Sequence, residues 1–201
     1  MIKMKLQTTL YAFIFLVCFT CCNSEPPKKV DFSDCPQTLF RDLETAMLHK
    51  DCVKTLKLRE AGLKKFPKEI QEFKNLKYLD LAMNHFDSIP DEIGKLTNLT
   101  DLITAYGFVK YISPAIGNLK KLRNIIMIDN DLTYLPDSIC YLPALEELVL
   151  KGNKIKYLPE NIGNLNKLKF LAVSDDEAKP TLTKEEQNRV KKILVNCRLG
   201  L

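Results

Sequence analysis

Tryptophan is absent from the 201 residues, glycine occurs only 7 times and histidine twice. Each shortage removes a class of chemistry. No glycine-rich loop follows a strand and opens a helix, so nothing in the sequence supports phosphate cradling. His49 and His85 have no cysteine or carboxylate at zinc-ligand spacing, so neither a metal nor another cofactor is expected. Carboxylates are plentiful, but pairs such as Asp91–Glu92 and Glu146–Glu147 fall in turn and solvent positions. Catalytic acids need environments that drive their pKa values apart, and these do not supply one. The net charge of +5 is spread along the chain, and it falls by two once Lys3 and Lys5 of the leader are set aside. That is no nucleic-acid footprint. What remains is 46% apolar, enough for one domain with a core of its own.

The N-terminus has a separate task. "MIKMK" is basic, "LQTTLYAFIFLVCFTCC" is largely apolar, and "NSEPPKKVDFSD" is polar with two prolines. This order describes an export signal, too short in its apolar run for a comfortable membrane span. "FTCCNS" resembles the cleavage box of bacterial lipoproteins, in which the residue after the cut is a lipid-bearing cysteine. The resemblance places the lipid on Cys22, with Cys21 and Cys18 as weaker alternatives. Residues 1–21 then form the signal peptide and 22–34 a tether. The protein is expected at a bacterial envelope membrane, on the outer membrane or cell surface, or secreted if no lipid is attached. Acyl chains contribute about 0.8 kcal/mol per buried methylene, so the anchor alone would hold it.

Beyond the tether the chain repeats itself every 23 residues. Ile70, Ile93, Ile116, Ile139 and Ile162 form one column, and Leu76, Leu99, Leu122, Leu145 and Leu168 a second. Leu79, Leu102, Ile125, Leu148 and Leu171 follow, then Leu81, Thr104, Met127, Leu150 and Val173. A first copy starts at Met47, with Val53, Leu56 and Leu58 in the same columns. The two-residue alternation of the last two columns is that of a short strand with one buried face. No copy can bury its aliphatics alone, so neighbouring copies must close each layer.

The strings "LKYLDLAMNHF", "LRNIIMIDNDL" and "LEELVLKGNKI" resemble the leucine-rich repeat in its 23-residue form closing on "LPENIGNL". The whole chain is similar to small bacterial leucine-rich repeat lipoproteins. The resemblance implies an α/β repeat solenoid, a horseshoe arc with a parallel concave sheet. Six stacked strands would span about 25–30 Å. It implies an asparagine ladder at Asn84, Asn130 and Asn153, while Pro67, Pro90, Pro136 and Pro159 fix the next bend by locking φ. The third copy departs: Thr104 replaces an aliphatic, Gly107 replaces the asparagine, and the proline slips to Pro114. A weaker, bulged layer is expected there, whether from drift or from a widening that serves a ligand.

Residues 35–46 are expected to cap the first strand with a helix through Leu39, Leu43, Ala46 and Met47, opened by Pro36. The repeats run 47–178. Residues 179–201 supply a second cap, a helix with a Thr183–Glu186 capping box and an inner side of Val190, Ile193 and Leu194. The final "CRLGL" reads as a last strand with Leu199 and Leu201 inward. Four cysteines follow Cys22. In a solenoid Cys197 lies far from Cys35 and Cys52, so Cys35–Cys52 is the one pairing to consider, and whether it is bonded stays open. Cys140 and Cys197 read as small buried fillers, and His85 as a surface residue.

Residues alternating with the core leucines should face the concave side. There Ile103, Ile126, Ile128 and Val149 form an apolar stack, with Tyr78, Asp80, Tyr106 and Phe170 around it. Contiguous exposed apolar surface with aromatic anchors marks contact sites. The expected function is therefore a non-catalytic module that binds a protein through this face. A glycan held by Tyr78, Asp80, Asp101 and Asn124 is the alternative, and a homodimer joined concave face to concave face is a further arrangement open to it. Membrane contact is expected through the lipid anchor only.

Overall fold

The alternating aliphatics build a parallel sheet one strand per coil. The computed structural model describes Cys35, residues 38–174 and residues 181–201. The signal, the tether, Cys22 and Pro36 lie outside the described residues. Among those described, eight strands form one sheet in the order β1 (Leu39–Phe40), β2 (Thr55–Lys57), β3 (Tyr78–Asp80), β5 (Asp101–Ile103), β7 (Asn124–Ile126), β8 (Glu147–Val149), β9 (Phe170–Ala172) and β10 (Arg198–Gly200). Two short strands, β4 (Ser88–Ile89) and β6 (Tyr111–Ile112), pair in parallel elsewhere on the coils. Every pairing keeps the 23-residue register, for example Leu79↔Leu102↔Ile125↔Leu148↔Leu171. The result is an α/β repeat solenoid.

The columns go where the period sends them. All five isoleucines from Ile70 to Ile162 are fully buried, as are the five residues from Leu79 to Leu171. Each fully buried aliphatic contributes about 1.5–3 kcal/mol. The asparagines close the turn beside the strand. Asn84 donates to the carbonyls of Leu58 and Leu81 at 2.8 and 2.9 Å and accepts from the Leu63 N–H at 3.0 Å. Asn153 repeats this with Met127, Leu150 and Leu132. Each carboxamide thus serves backbone groups of its own coil and of the one before. Pro67, Pro90, Pro136 and Pro159 each stand directly before a 3₁₀ turn that starts the return path.

Several expectations need correction. The N-terminal cap is a strand before it is a helix: Leu39 and Phe40 pair with Thr55 and Leu56. Only Leu43–Leu48 (α1) is helical, started by the Asp42 carboxylate accepting the Thr45 N–H at 2.7 Å. A free sheet edge offers Leu39–Phe40 backbone partners that a longer helix would forgo. The sheet therefore has eight strands, since β1 and β10 extend the six copies at either end. At the far end α2 (Lys184–Ile193) buries Val190, and Leu194 just past it, but leaves Ile193 40% exposed. Cys197 is only half-buried, whereas Cys140 is buried and desolvation pushes its thiol up to about 11. Cys35 and Cys52 are bonded, with Cα atoms 5.5 Å apart, tying the chain's entry to the first coil.

The third layer is not bulged. Asp101–Ile103 pairs in unbroken register with both neighbours. Ser113 takes the place left by the slipped proline, accepting the Ala115 N–H at 3.0 Å ahead of Pro114. The misfit is chemical instead: the buried Thr104 hydroxyl has no hydrogen-bond partner among the described residues. A buried unpaired hydroxyl costs about 1–3 kcal/mol. Thr104→Val should therefore raise stability by about 1 kcal/mol in a denaturant titration, and a loss of stability would show that the hydroxyl is satisfied.

Candidate functional site

The concave face is assembled from the residues that alternate with the core leucines. Lys57, Asp80, Ile103, Ile126, Val149 and Ala172 sit side by side on successive strands. Thr55, Tyr78, Asp101, Asn124, Glu147 and Phe170 form the row before them. The inner side of a curved sheet crowds its side chains, and the crowding changes the expected patch. Ile103, Ile126 and Ile128 are half-buried. Val149 is only 9% exposed although it takes no part in the interior cluster, so neighbours on the concave side close it off. Ala172 beyond it is fully buried. The accessible apolar stack is three isoleucines, and Val149 is a correction.

Asp80 is a second correction. It is 7% exposed, and its carboxylate accepts the N–H of Ala82, two residues past the end of β3, at 3.0 Å. A short acidic side chain at a strand end finds the backbone before it finds a ligand. Asp101 is engaged as well, accepting from Asn124 and from the Thr100 hydroxyl, both at 2.6 Å. The Lys57 ammonium lies 5.5 Å from the centre of the Tyr78 ring, and the Arg198 guanidinium 5.6 Å from that of Phe170. Burial, with the charges of Asp80 and Asp101, raises the Tyr78 phenol above its ordinary 10.0.

Tyr106 is 50% exposed at the rim, on backbone of positive φ. The same left-handed turn recurs at Glu60, Met83, Asp129 and Gly152, one per coil. Only the last position is glycine. There a Cβ would meet Asp129 Oδ1 at 1.8 Å. A bulky residue pays a strain penalty in this conformation. Met83 and Tyr106 do so while turning apolar surface outward, 39% and 50% exposed. Phe108, also 50% exposed, stacks on His85 at 5.7 Å, which makes His85 part of an aromatic rim beside Tyr106.

A second surface feature lies off the strand columns. Tyr111, Tyr134 and Tyr157 occupy one column and are 40%, 49% and 62% exposed. Their 23-residue spacing was visible, but attention to columns that alternate with core leucines passes over them. Among the described residues no three His, Cys, Asp or Glu side chains come together to hold a metal, and no helix is long and apolar enough to cross a membrane.

The Leucine Rich Repeat family model matches residues 75–96 and 144–165, two coils of the solenoid described above. These two coils are leucine-rich repeats. No curated protein matches this sequence. Among 303 matching chains of known structure, one is a leucine-rich repeat protein of Leptospira interrogans, 25% identical over 79% of this chain, with a TM-score of 0.49. The present chain spans 57% of that protein. Leucine-rich repeat domains generally mediate protein–protein interaction and are typically not enzymes.

The environment of Tyr78 can be read in solution. Subtracting the ultraviolet titration of Tyr78→Phe from that of the wild type should isolate a phenol with a midpoint above 10.0, and Asp101→Asn should lower it. A midpoint at or below 10.0 would contradict the concave geometry.

Proposed function

We propose that this leucine-rich repeat protein is a non-catalytic module that captures a protein partner at a bacterial envelope. The observation that carries this reading is the set Ile103, Ile126 and Ile128, held half-open on an otherwise polar sheet and continued at the rim by Tyr106. β-branched residues suit any strand, yet a solvated concave face gains nothing from three of them together. A partner that covered them would remove water from the aliphatic centre and leave Asp101, Asn124 and Glu147 as a polar border, the arrangement of a binding hot spot. Tyr78 and Phe170 flank the centre, each already steadied by a cation.

A glycan on this face is less well supported, because Asp80 is engaged by the Ala82 N–H and Asp101 by Asn124 and the Thr100 hydroxyl. A homodimer through the same face remains consistent with the chemistry, and light scattering separates it from a foreign partner. Presentation at an envelope rests on the leader and on Cys22.

Two measurements test the proposal. Crosslinking pull-downs from native envelopes should recover a partner with wild-type protein and lose it with Ile126→Asp. A buried apolar centre makes the expected loss about 2 kcal/mol, or roughly thirtyfold in affinity. Unchanged capture by a folded Ile126→Asp variant would refute the site. Cys22→Ala should move the protein from the membrane fraction to the soluble one, and continued membrane attachment would refute the anchor.

A further inference from the structure

Tyr111, Tyr134 and Tyr157 lie outside the concave sheet, Tyr111 within β6 and the other two in the same column one and two coils on. The rings of Tyr111 and Tyr134 stand 6.4 Å apart with planes inclined at 61°. None of the three hydroxyls hydrogen-bonds to a described residue. Nothing in the fold requires aromatic rings there, since the equivalent residue of the preceding coil is Ser88. Exposed Lys110 and Lys156 stand immediately before the first and last tyrosine; the Lys110 charge helps hold the Asp131 carboxyl below its ordinary value, and neither lysine forms a salt bridge with a described residue. Beside Tyr111 opens a hollow of about 650 Å³ lined by Asp91, Lys95, Ser113 and Asn118.

We propose that this tyrosine ladder binds an extended acidic glycan running along the stack of coils. Three observations select that occupant. The Tyr111 and Tyr134 rings of successive coils are 6.4 Å apart, on the scale of one sugar residue in an extended chain, so successive tyrosines can meet successive residues. Phenol rings offer apolar surface to the C–H face of a sugar and a hydroxyl to its rim, and the polar hollow extends this hydrogen bonding. Exposed Lys156, and Lys110 beside the Asp131 carboxylate that Lys154 already pairs, match carboxylates on such a chain. A protein hot spot would instead want a closed aliphatic centre, and the column between the lysines holds only Thr133. This site does not depend on the concave-face reading.

The test is affinity electrophoresis of the full chain in gels containing alginate, polygalacturonate, neutral dextran or poly-glutamate. Wild-type protein should be retarded by at least one acidic polysaccharide, less so as salt rises, and not by dextran. Tyr134→Ala should weaken retardation about tenfold, near the upper worth of one aromatic contact. Lys110→Gln with Lys156→Gln should flatten the salt dependence. Ile126→Asp should leave retardation unchanged, which separates this site from the concave one. No retardation by either acidic polysaccharide, equal retardation of Tyr134→Ala, or retardation by poly-glutamate alone would overturn the proposal. All three substituted residues outside the concave face are exposed, and a circular-dichroism melt confirms that the variants fold.

Discussion

Each coil of this protein leaves backbone groups that only the neighbouring coil can satisfy, and the 23-residue register is what keeps donor opposite acceptor. Asn130 shows the constraint in one side chain. It accepts the Val109 N–H at 3.0 Å and donates to the Thr104 carbonyl of the coil before at 2.7 Å. A one-residue slip of one coil against the next would break both contacts and turn that strand's core aliphatics to the wrong face. Surface charges repeat on the same spacing, as in Lys154–Asp131 and the Arg123–Glu146–Lys169 series. Exposed pairs of this kind contribute about 0–1 kcal/mol each, so they follow the register and do not set it.

Because the stack depends on neighbours, its ends need substitutes for a missing coil. At the C-terminal end two side chains of α2 take that role. Glu186 accepts the Leu158 N–H at 2.9 Å, and Arg189 donates to the Leu158 carbonyl at 3.0 Å. The pair replaces the donor and acceptor that a further coil would have offered. The hydrogen bond from Arg189 holds the Glu186 carboxyl below its ordinary 4.5, so this stabilisation is present above that value and fades as pH falls through the depressed one. At the other end β1 extends the sheet directly, and the Cys35–Cys52 bond fixes the chain that leads into it.

The repeat columns were legible because periodicity reports a face, and the face decides burial. Legibility failed where local and tertiary demands compete. Leu39 to Met47 carries helical spacing, yet an open sheet edge claims the first part of it as strand. Val149 and Asp80 sit in columns that point outward, but pointing outward on a curved inner surface is not the same as being accessible. Crowding closed Val149, and backbone affinity folded Asp80 inward. The left-handed turns at Met83 and Tyr106 gave no signal, since glycine marks that column only at Gly152. The tyrosine ladder was present in the spacing but lay off the columns that strand alternation picks out.

Residues adjacent on one strand look in opposite directions, one into the stack and one onto the concave face. Hydroxyl-radical footprinting with mass spectrometry reads this residue by residue. Ile103, Ile126 and Ile128 should be oxidised in the free protein while Leu102, Ile125, Met127 and Leu148 stay protected. Equal protection of both sets, or oxidation of Met127 in the folded chain, would contradict it.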